Sequence, residues 1–514
     1  MGQSIKKATV ISYITLVIGN IISLIYTPFM LSTLGSNEYG LFSLVNNIIS
    51  YIYLLDMGMG NAVIRYNSRY MANNDKEGLK VINGMFLSMY IIIAIIGVVI
   101  GVILYSKIDI LFGQGLSNIE INKLKTMFVI AIINVIFSFP LNVFSGIIVS
   151  NEKFVYNKIL TLFRTVLNPM IMVSILILGY KSIGMIIAST IFNISLGFIN
   201  IIYCFKVLKI KFIFRKFDKN ILKEIFNYSF YIFLGAIAYK LYWSTDQIIL
   251  GMFVSSASIA IYSIGAQFNG YFTSFSNVIT GMFLPKMTKL VVNEPDNNKL
   301  MDILVKISRI QFYIAIFILM GFILVGKAFI NLWAGEGYET SYYIALLIMF
   351  PQIFSIIQAL FATMLDAMNK HKIKSFIYLS VSILNLVLSI IFVKSYGLIG
   401  CSLATAIGMT INALLNNIYY KYNLKLNMKY YWKEISKLFI PTIVCFFIGL
   451  IMVNNIVVNS YISLIIFIIL FSIIYIIVYW IFGFNDYEKL FLLAMIEQMK
   501  FKIKFNKNKF VIKE

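Results

Sequence analysis

Apolar runs, each about as long as a bilayer is thick, follow one another along almost the whole chain. A helix rises about 1.5 Å per residue, so about 20 apolar residues cross a hydrocarbon core of about 30 Å. Fourteen such runs lie near 8–31, 40–65, 82–105, 124–150, 156–178, 181–204, 225–252, 257–284, 307–330, 340–366, 374–396, 397–420, 437–453 and 461–483. Hydrocarbon offers no partner to a bare N–H or C=O, so a run of this length crosses it as a helix that satisfies its own backbone. Composition agrees. Hydrophobic residues make up 60% of the 514 and charged ones 12%, mean hydropathy is +0.87, and an ordinary soluble domain carries about 25% charge. The expectation is an all-α polytopic membrane protein with 14 transmembrane helices. The first run is too long for a signal peptide and lacks a small-residue cleavage site.

A net charge of +22 invites a nucleic-acid partner, and the placement of the charge rejects one. If the N-terminus with Lys6 and Lys7 is cytoplasmic, every second connection is basic. These are Arg65, Arg69, Lys76 and Lys80; then Lys206 to Lys223, with Arg215 and Lys216; then Lys421 to Lys437; and the tail from Lys500 to Lys513. The opposite connections hold only scattered lysines such as Lys107, Lys181 and Lys394. That asymmetry orients a chain with both termini in the cytoplasm and attracts anionic lipid to its inner face. Cys204, Cys401 and Cys445 fall within or beside spans at spacings of neither a disulfide framework nor a metal site, and His371 is the single histidine.

The pattern restarts after a basic connection at 205–224. Tyr180, Ile183, Gly184, Ala188 and Ser189 match Tyr396, Ile399, Gly400, Ala404 and Thr405 at a shift of 216. Asn168 matches Asn385 at 217, and Tyr39 to Ser43 match Ile259 to Ser263 at 220. Six spans per half is an even number, so the halves share one orientation, as in transporters built from parallel repeats. The expected organisation is a six-helix lobe at 1–212, a second at 213–425 facing it across a central cleft, two added transmembrane helices at 426–485 and a basic cytoplasmic tail at 486–514.

Ionisable residues inside spans are few. A charge at that depth costs several kcal/mol unless it meets a partner or a wet cavity. Arg164 and Lys240 read as lumen-facing, with snorkelling or a structural ion pair as the alternative. Asp56 and Asp246 divide between a stabilising partner and an ion-coupling site. Arg65, Lys158, Arg309 and Asp366 sit near cytoplasmic span ends, where interface anchoring competes with function. Gln247, Gln267, Asn269, Gln311, Gln352 and Gln358 are uncharged donors that line a lumen or glue helices together. Paired carboxylates at one site, P-loop glycines and nucleophile–base sets are missing, so the chain does not read as an enzyme and no cofactor is expected beyond a coupling ion.

Two stretches carry a resemblance. Pro28-Phe29, Leu34-Gly35 and Glu38-Tyr39-Gly40-Leu41-Phe42 precede Asp56, Gly58, Gly60 and Arg65. Asp246-Gln247-Ile248-Ile249-Leu250-Gly251 opens the second half. Together they resemble the bacterial oligosaccharide and polysaccharide flippases, MATE-like members of the multidrug, oligosaccharidyl-lipid and polysaccharide exporter superfamily, over roughly residues 5–485. Ser32 stands where many members have Arg, which puts a head-group contact there in doubt. The resemblance implies a two-lobed fold and a cargo of polyprenyl-pyrophosphate-linked oligosaccharide. That cargo moves from the cytoplasmic to the outer leaflet of a bacterial cytoplasmic membrane, for capsule, O-antigen or teichuronic-type polymer, by alternating access through a cationic lumen. Arg164 and Lys240 would then hold the pyrophosphate and Arg65 and Arg309 capture it at the inner mouth. Gln247, Gln267 and Asn269 would line the lumen, and Asp56 or Asp246 would carry H+ or Na+. Membrane lipid, a polymerase and a chain-length regulator are the implied partners. The rivals are a multidrug or metabolite exporter of the same superfamily, a peptidoglycan lipid-precursor flippase, and a membrane polymerase or ligase, which the short outer loops disfavour.

Overall fold

The computed structural model describes residues 2–214, 219–293, 296–368, 370–490 and 493. The tail lysines from Lys500 to Lys513, and Arg215 and Lys216 of the basic connection, lie outside the described residues. Ten helices run through the first two thirds: α1 (Gly2–Ile52), α2 (Met59–Ala72), α3 (Lys76–Phe112), α4 (Asn118–Ser150), α5 (Phe154–Ile177), α6 (Lys181–Lys206), α7 (Lys219–Trp243), α8 (Thr245–Phe253), α9 (Ser256–Asn293) and α10 (Asn297–Ala334). Then come α11 (Thr340–Ile357), α12 (Ala359–Ala367), α13 (His371–Tyr422), α14 (Met428–Ser436), α15 (Phe439–Asn455) and α16 (Tyr461–Phe482). The described residues contain no strand. Eleven stretches among them are helical, long and apolar enough to cross a membrane.

The longest helices are broken where the sequence changes span. α1 is interrupted at Gly35 (φ 76°, ψ 169°) and α13 at Gly397 (φ 55°, ψ −134°). The repeat shift of 216 carries Lys181, itself at φ 46°, onto Gly397, so matched sequence positions turn the backbone with the same hand. Helix starts are capped from the side chains. Asp75 accepts from the Gly78 amide at 2.7 Å, and Ser117 and Glu120 form a reciprocal capping box at the start of α4. Pro28 lies within α1 and cannot donate to the carbonyl four residues back. That carbonyl, of Leu24, instead accepts the Trp333 indole N–H at 2.6 Å.

The chain forms two compact units. The first comprises 1–274, 333–352 and 369–416, and the second 275–332, 353–368 and 417–514. In the first, α1 to α6 pack around a core that includes Leu44, Val45, Tyr90, Phe128, Phe139 and Val143. The α8–α9 junction docks on this bundle closely enough that a Cβ on Gly40 would overlap the Ser256 carbonyl. The Ser256 hydroxyl also donates to Glu120. In the second unit, Arg309 of α10 is buried in an ion pair with Glu488, just beyond α16.

Candidate functional site

Polar side chains inside hydrocarbon-spanning helices need partners or water, and in the first unit they enclose a cavity. Its volume is about 640 Å³. The wall comes from α1 (Tyr26, Asn46, Ser50), the short 3-10 turn after it (Tyr53), α4 (Asn134, Ser138, Asn142), α5 (Arg164, Asn168) and α6 (Ser189, Thr190, Asn193). Arg164 is the sole charged residue in this wall. Its guanidinium is accessible and donates to Asn193. A smaller chamber of about 170 Å³ shares Ser138, Asn142, Arg164 and Asn193 and adds Asn157 and Asn200, so Arg164 stands between two polar spaces. Tyr53 donates to Ser138 at 3.3 Å, which donates to Asn134 at 3.1 Å. The Tyr26 hydroxyl, the Asn168 Oδ1 and the Thr190 hydroxyl are buried, line the cavity and bond to nothing among the described residues. Buried polar atoms are rarely left so in a folded protein, and these three offer their bonding capacity to whatever fills the cavity.

The other expected site residues are spread more widely. The Lys240 ammonium is half-buried, does not line this cavity, and has no partner among the described residues; its carbonyl accepts from Tyr51 at 2.9 Å. Arg65 is exposed with its guanidinium 5.0 Å from the Tyr228 ring centre. Arg309 corrects the expectation of a capture residue. It is 3% exposed, bonds Glu488 through two nitrogens at 2.7 and 2.9 Å, and donates also to Tyr313 and to the carbonyls of Glu434 and Gly483. All three of its nitrogens are occupied by the protein. Gln267 donates to Ser23, Thr27 and Tyr271, a helix-to-helix clasp. Gln247 accepts from Asn47, and Asn269 is buried.

The two aspartates differ in their surroundings. Asp56 closes the 3-10 turn, and Met57 and Gly58 follow at φ 49° and 71° before α2 begins. Its carboxylate meets the amides of Gly58 and Gly60 and the Tyr90 hydroxyl, so the D-x-G-x-G pattern caps a helix that restarts within the membrane. Gly58 suits its place because a Cβ there would meet both the left-handed backbone and the Ile232 side chain. Asp246, 2% exposed, accepts from Tyr262, from Ser389 at 2.8 Å and from Thr405 at 2.7 Å. Asn385 Oδ1 accepts from Ser389 at 3.3 Å. No cation pairs with Asp246 among the described residues.

The repeat links these two places. Shifts of 220, 217, 217 and 216 carry Tyr26, Asn168, Met172 and Ser189 of the cavity wall onto Asp246, Asn385, Ser389 and Thr405. Equivalent positions build a filled carboxylate cluster in one half and an open cavity beside Arg164 in the other. The carboxamides of the wall went unread in the sequence, although they left a signal. Asn46 and Ser50, Asn134 and Ser138, Arg164 and Asn168, and Ser189 and Asn193 are each four apart, so four spans present polar pairs on one helical face.

Comparison with known proteins follows from this geometry. A family model described as "Polysaccharide biosynthesis protein" matches residues 4–291. The chain is 19% identical over 238 residues to the probable low-salt glycan biosynthesis flippase Agl15 of Haloferax volcanii, covering 46% of this chain and 50% of that one. It is 25% identical over 247 residues to the uncharacterized membrane protein MJ1375 of Methanocaldococcus jannaschii, covering 46% and 58%. The chain thus spans about half the length of the curated relatives it matches. Among solved structures, the lipid II flippase MurJ in an inward closed conformation superposes with a TM-score of 0.69 at 19% identity, over 95% of this chain and 99% of that one. An inward-facing multidrug resistance MATE family transporter of the MOP superfamily gives 0.62 at 17%, over 81% and 98%. The fold is therefore MurJ- and MATE-like.

Proposed function

Because the chain belongs to the polysaccharide biosynthesis protein family, we propose that it is a flippase for a polyprenyl-pyrophosphate-linked oligosaccharide. The cargo passes from the cytoplasmic to the outer leaflet of a bacterial cytoplasmic membrane, and both termini of the protein are cytoplasmic. On this reading the kinked α1 and α13 each count as two spans and α9 as one, which gives fourteen, arranged as the two six-helix lobes at 1–212 and 213–425 with two helices added. The observation that carries the proposal is the cavity wall: one accessible guanidinium, a set of carboxamides and hydroxyls, and no carboxylate. Sugar hydroxyls and anionic oxygens cannot cross hydrocarbon bare, since each orphaned group costs several kcal/mol. Such a wall replaces their water, while the lipid tail stays in the bilayer. An exporter of cationic drugs needs acids facing its cargo, which this wall lacks.

The anionic part of the cargo binds at Arg164, whose planar fork suits oxyanions. Lys240 and the exposed Arg65 serve its approach, and Arg309 is removed from the substrate path. For coupling, Asp246 is the better of the two candidates, because Asp56 is committed to its cap. Hydroxyls surround Asp246 without a counter-charge, a setting that takes up a proton or a sodium ion. A polymerase and a chain-length regulator would act on the exported product.

The test is deletion of the gene followed by analysis of lipid-linked intermediates. The expected result is accumulation of a completed lipid-linked oligosaccharide on the cytoplasmic side, restored by the wild-type chain. Build-up of peptidoglycan precursor instead would transfer the protein to that cargo. Unchanged intermediates with altered sensitivity to cationic toxins would make it a drug exporter.

A further inference from the structure

The cavity beside Arg164 also has a charge and hydrogen-bond balance that distinguishes between parts of the cargo. We propose that it receives an acidic sugar, a polyhydroxylated ring bearing a single carboxylate, and that the pyrophosphate binds elsewhere; the proposal rests on the flippase reading and names the group this site takes. Two observations support it. The first is charge. One guanidinium faces the cavity, and no second cation or carboxylate does. A monoanion brings the site to neutrality, whereas a pyrophosphate with about two charges leaves an excess of negative charge in a low-dielectric bundle, a state that proteins avoid.

The second is the direction of the unpaired groups. Asn168 Oδ1 is a buried acceptor that bonds to nothing among the described residues. Ionised phosphate oxygens only accept, so they repel it, but a sugar hydroxyl donates to it. The Tyr26 and Thr190 hydroxyls, also unbonded, donate or accept as ring hydroxyls require. Carboxylate on Arg164 and hydroxyls on Asn168, Tyr26 and Thr190 would satisfy all four at once. A volume of about 640 Å³ falls in the range of small-ligand pockets, about 300–1,000 Å³. Across the repeat, the position of Tyr26 is held by Asp246, so the equivalent place in the other half repels anions.

The experiment measures thermal protection of the purified full-length protein in nanodiscs by glucuronate, glucose and inorganic pyrophosphate at matched ionic strength. The expected order is glucuronate over glucose by about ten-fold or more in apparent affinity, the scale of one charge-assisted hydrogen bond, with pyrophosphate no better than salt. Arg164→Gln should abolish the preference for glucuronate while keeping the glucose response, Arg164→Lys should retain part of it, and Asn168→Leu should weaken both sugars. Pyrophosphate protecting as well as glucuronate, equal protection by the two sugars, or an acid preference that survives Arg164→Gln overturns the proposal. Should Arg164→Gln fail to fold, the ranking of the three ligands on wild type and Arg164→Lys decides. The gene-deletion experiment reads the flippase assignment separately: accumulated lipid-linked oligosaccharide without glucuronate binding sinks this inference alone, and the reverse sinks the flippase reading and leaves an acid-sugar site.

Discussion

The guanidinium of Arg309 spends its nitrogens on Glu488, Tyr313 and two carbonyls, whereas that of Arg164 bonds Asn193 and otherwise faces a cavity. Both residues lie in apolar spans, and in the sequence nothing separates them. The partner of Arg309 is 179 residues away, and pairings of that range leave no local pattern. Breaking a buried ion pair by removing one partner costs about 3–5 kcal/mol, because the other charge stays buried. Glu488→Gln should therefore lower the unfolding midpoint and the yield of folded protein, and leave the ranking of sugar ligands as in wild type. Thermal melts of the detergent-purified variant measure the first, and ligand protection of the surviving fraction the second. Arg164→Gln should show the opposite profile: a near-wild-type melt, with transport of lipid-linked cargo reduced about ten-fold or more, the equivalent of one lost charge-assisted contact. A variant that loses stability and transport together would make Arg164 a structural residue.

At the scale of elements, most of what the fold uses was legible. Apolar runs and the glycines between them located α5, α6, α10, α15 and α16 and the breaks in α1 and α13, because span length and φ > 0 are properties of a few neighbouring residues. Three breaks were not legible. Run 225–252 divides at Ser244 (φ −117°, ψ −13°) into α7 and α8, which puts Asp246 in the first turn of α8. Run 340–366 divides at Gln358, and run 40–65 at the turn holding Asp56. The first two contain neither Gly nor Pro at the break, so packing sets them rather than local propensity. The amphipathic α14, with Met428, Tyr431 and Ile435 buried, was likewise absorbed into the reading of the spans that follow it. The E-Y-G motif now has a physical reason. Glu38 takes Lys123 and Ser182, and Gly40 lets the start of α9 approach the backbone of α1. Gly40→Leu should destabilise the protein by about 1–3 kcal/mol, the usual cost of overpacking, seen as a lower melting midpoint. A wild-type midpoint would mean that α9 does not rest there in the membrane.

For the whole molecule, what remains to be explained is how transport runs without a nucleotide-binding motif in the sequence. Export of net negative charge across an inside-negative membrane gains about 2.3 kcal/mol per charge per 100 mV. A head group with about two pyrophosphate charges and one sugar carboxylate would thus gain about 7 kcal/mol at that potential, roughly five orders of magnitude in distribution. If Asp246 returns a cation inward on each cycle, the same potential acts on that leg too, and the two contributions add. They are separable because they depend on different groups. In proteoliposomes with an imposed potassium-diffusion potential, inside-negative polarity should speed outward movement of an acidic lipid-linked saccharide, and reversing the polarity should slow it. The increment should shrink by about a third with a neutral saccharide of the same size, because one of about three charges is gone. Asp246→Asn should remove the response to a proton or sodium gradient and keep the response to voltage carried by the cargo. Rates indifferent to voltage, to both ion gradients and to the charge on the sugar would leave the electropositive cavity without an energetic role, and the reading of it as an anion path would fall.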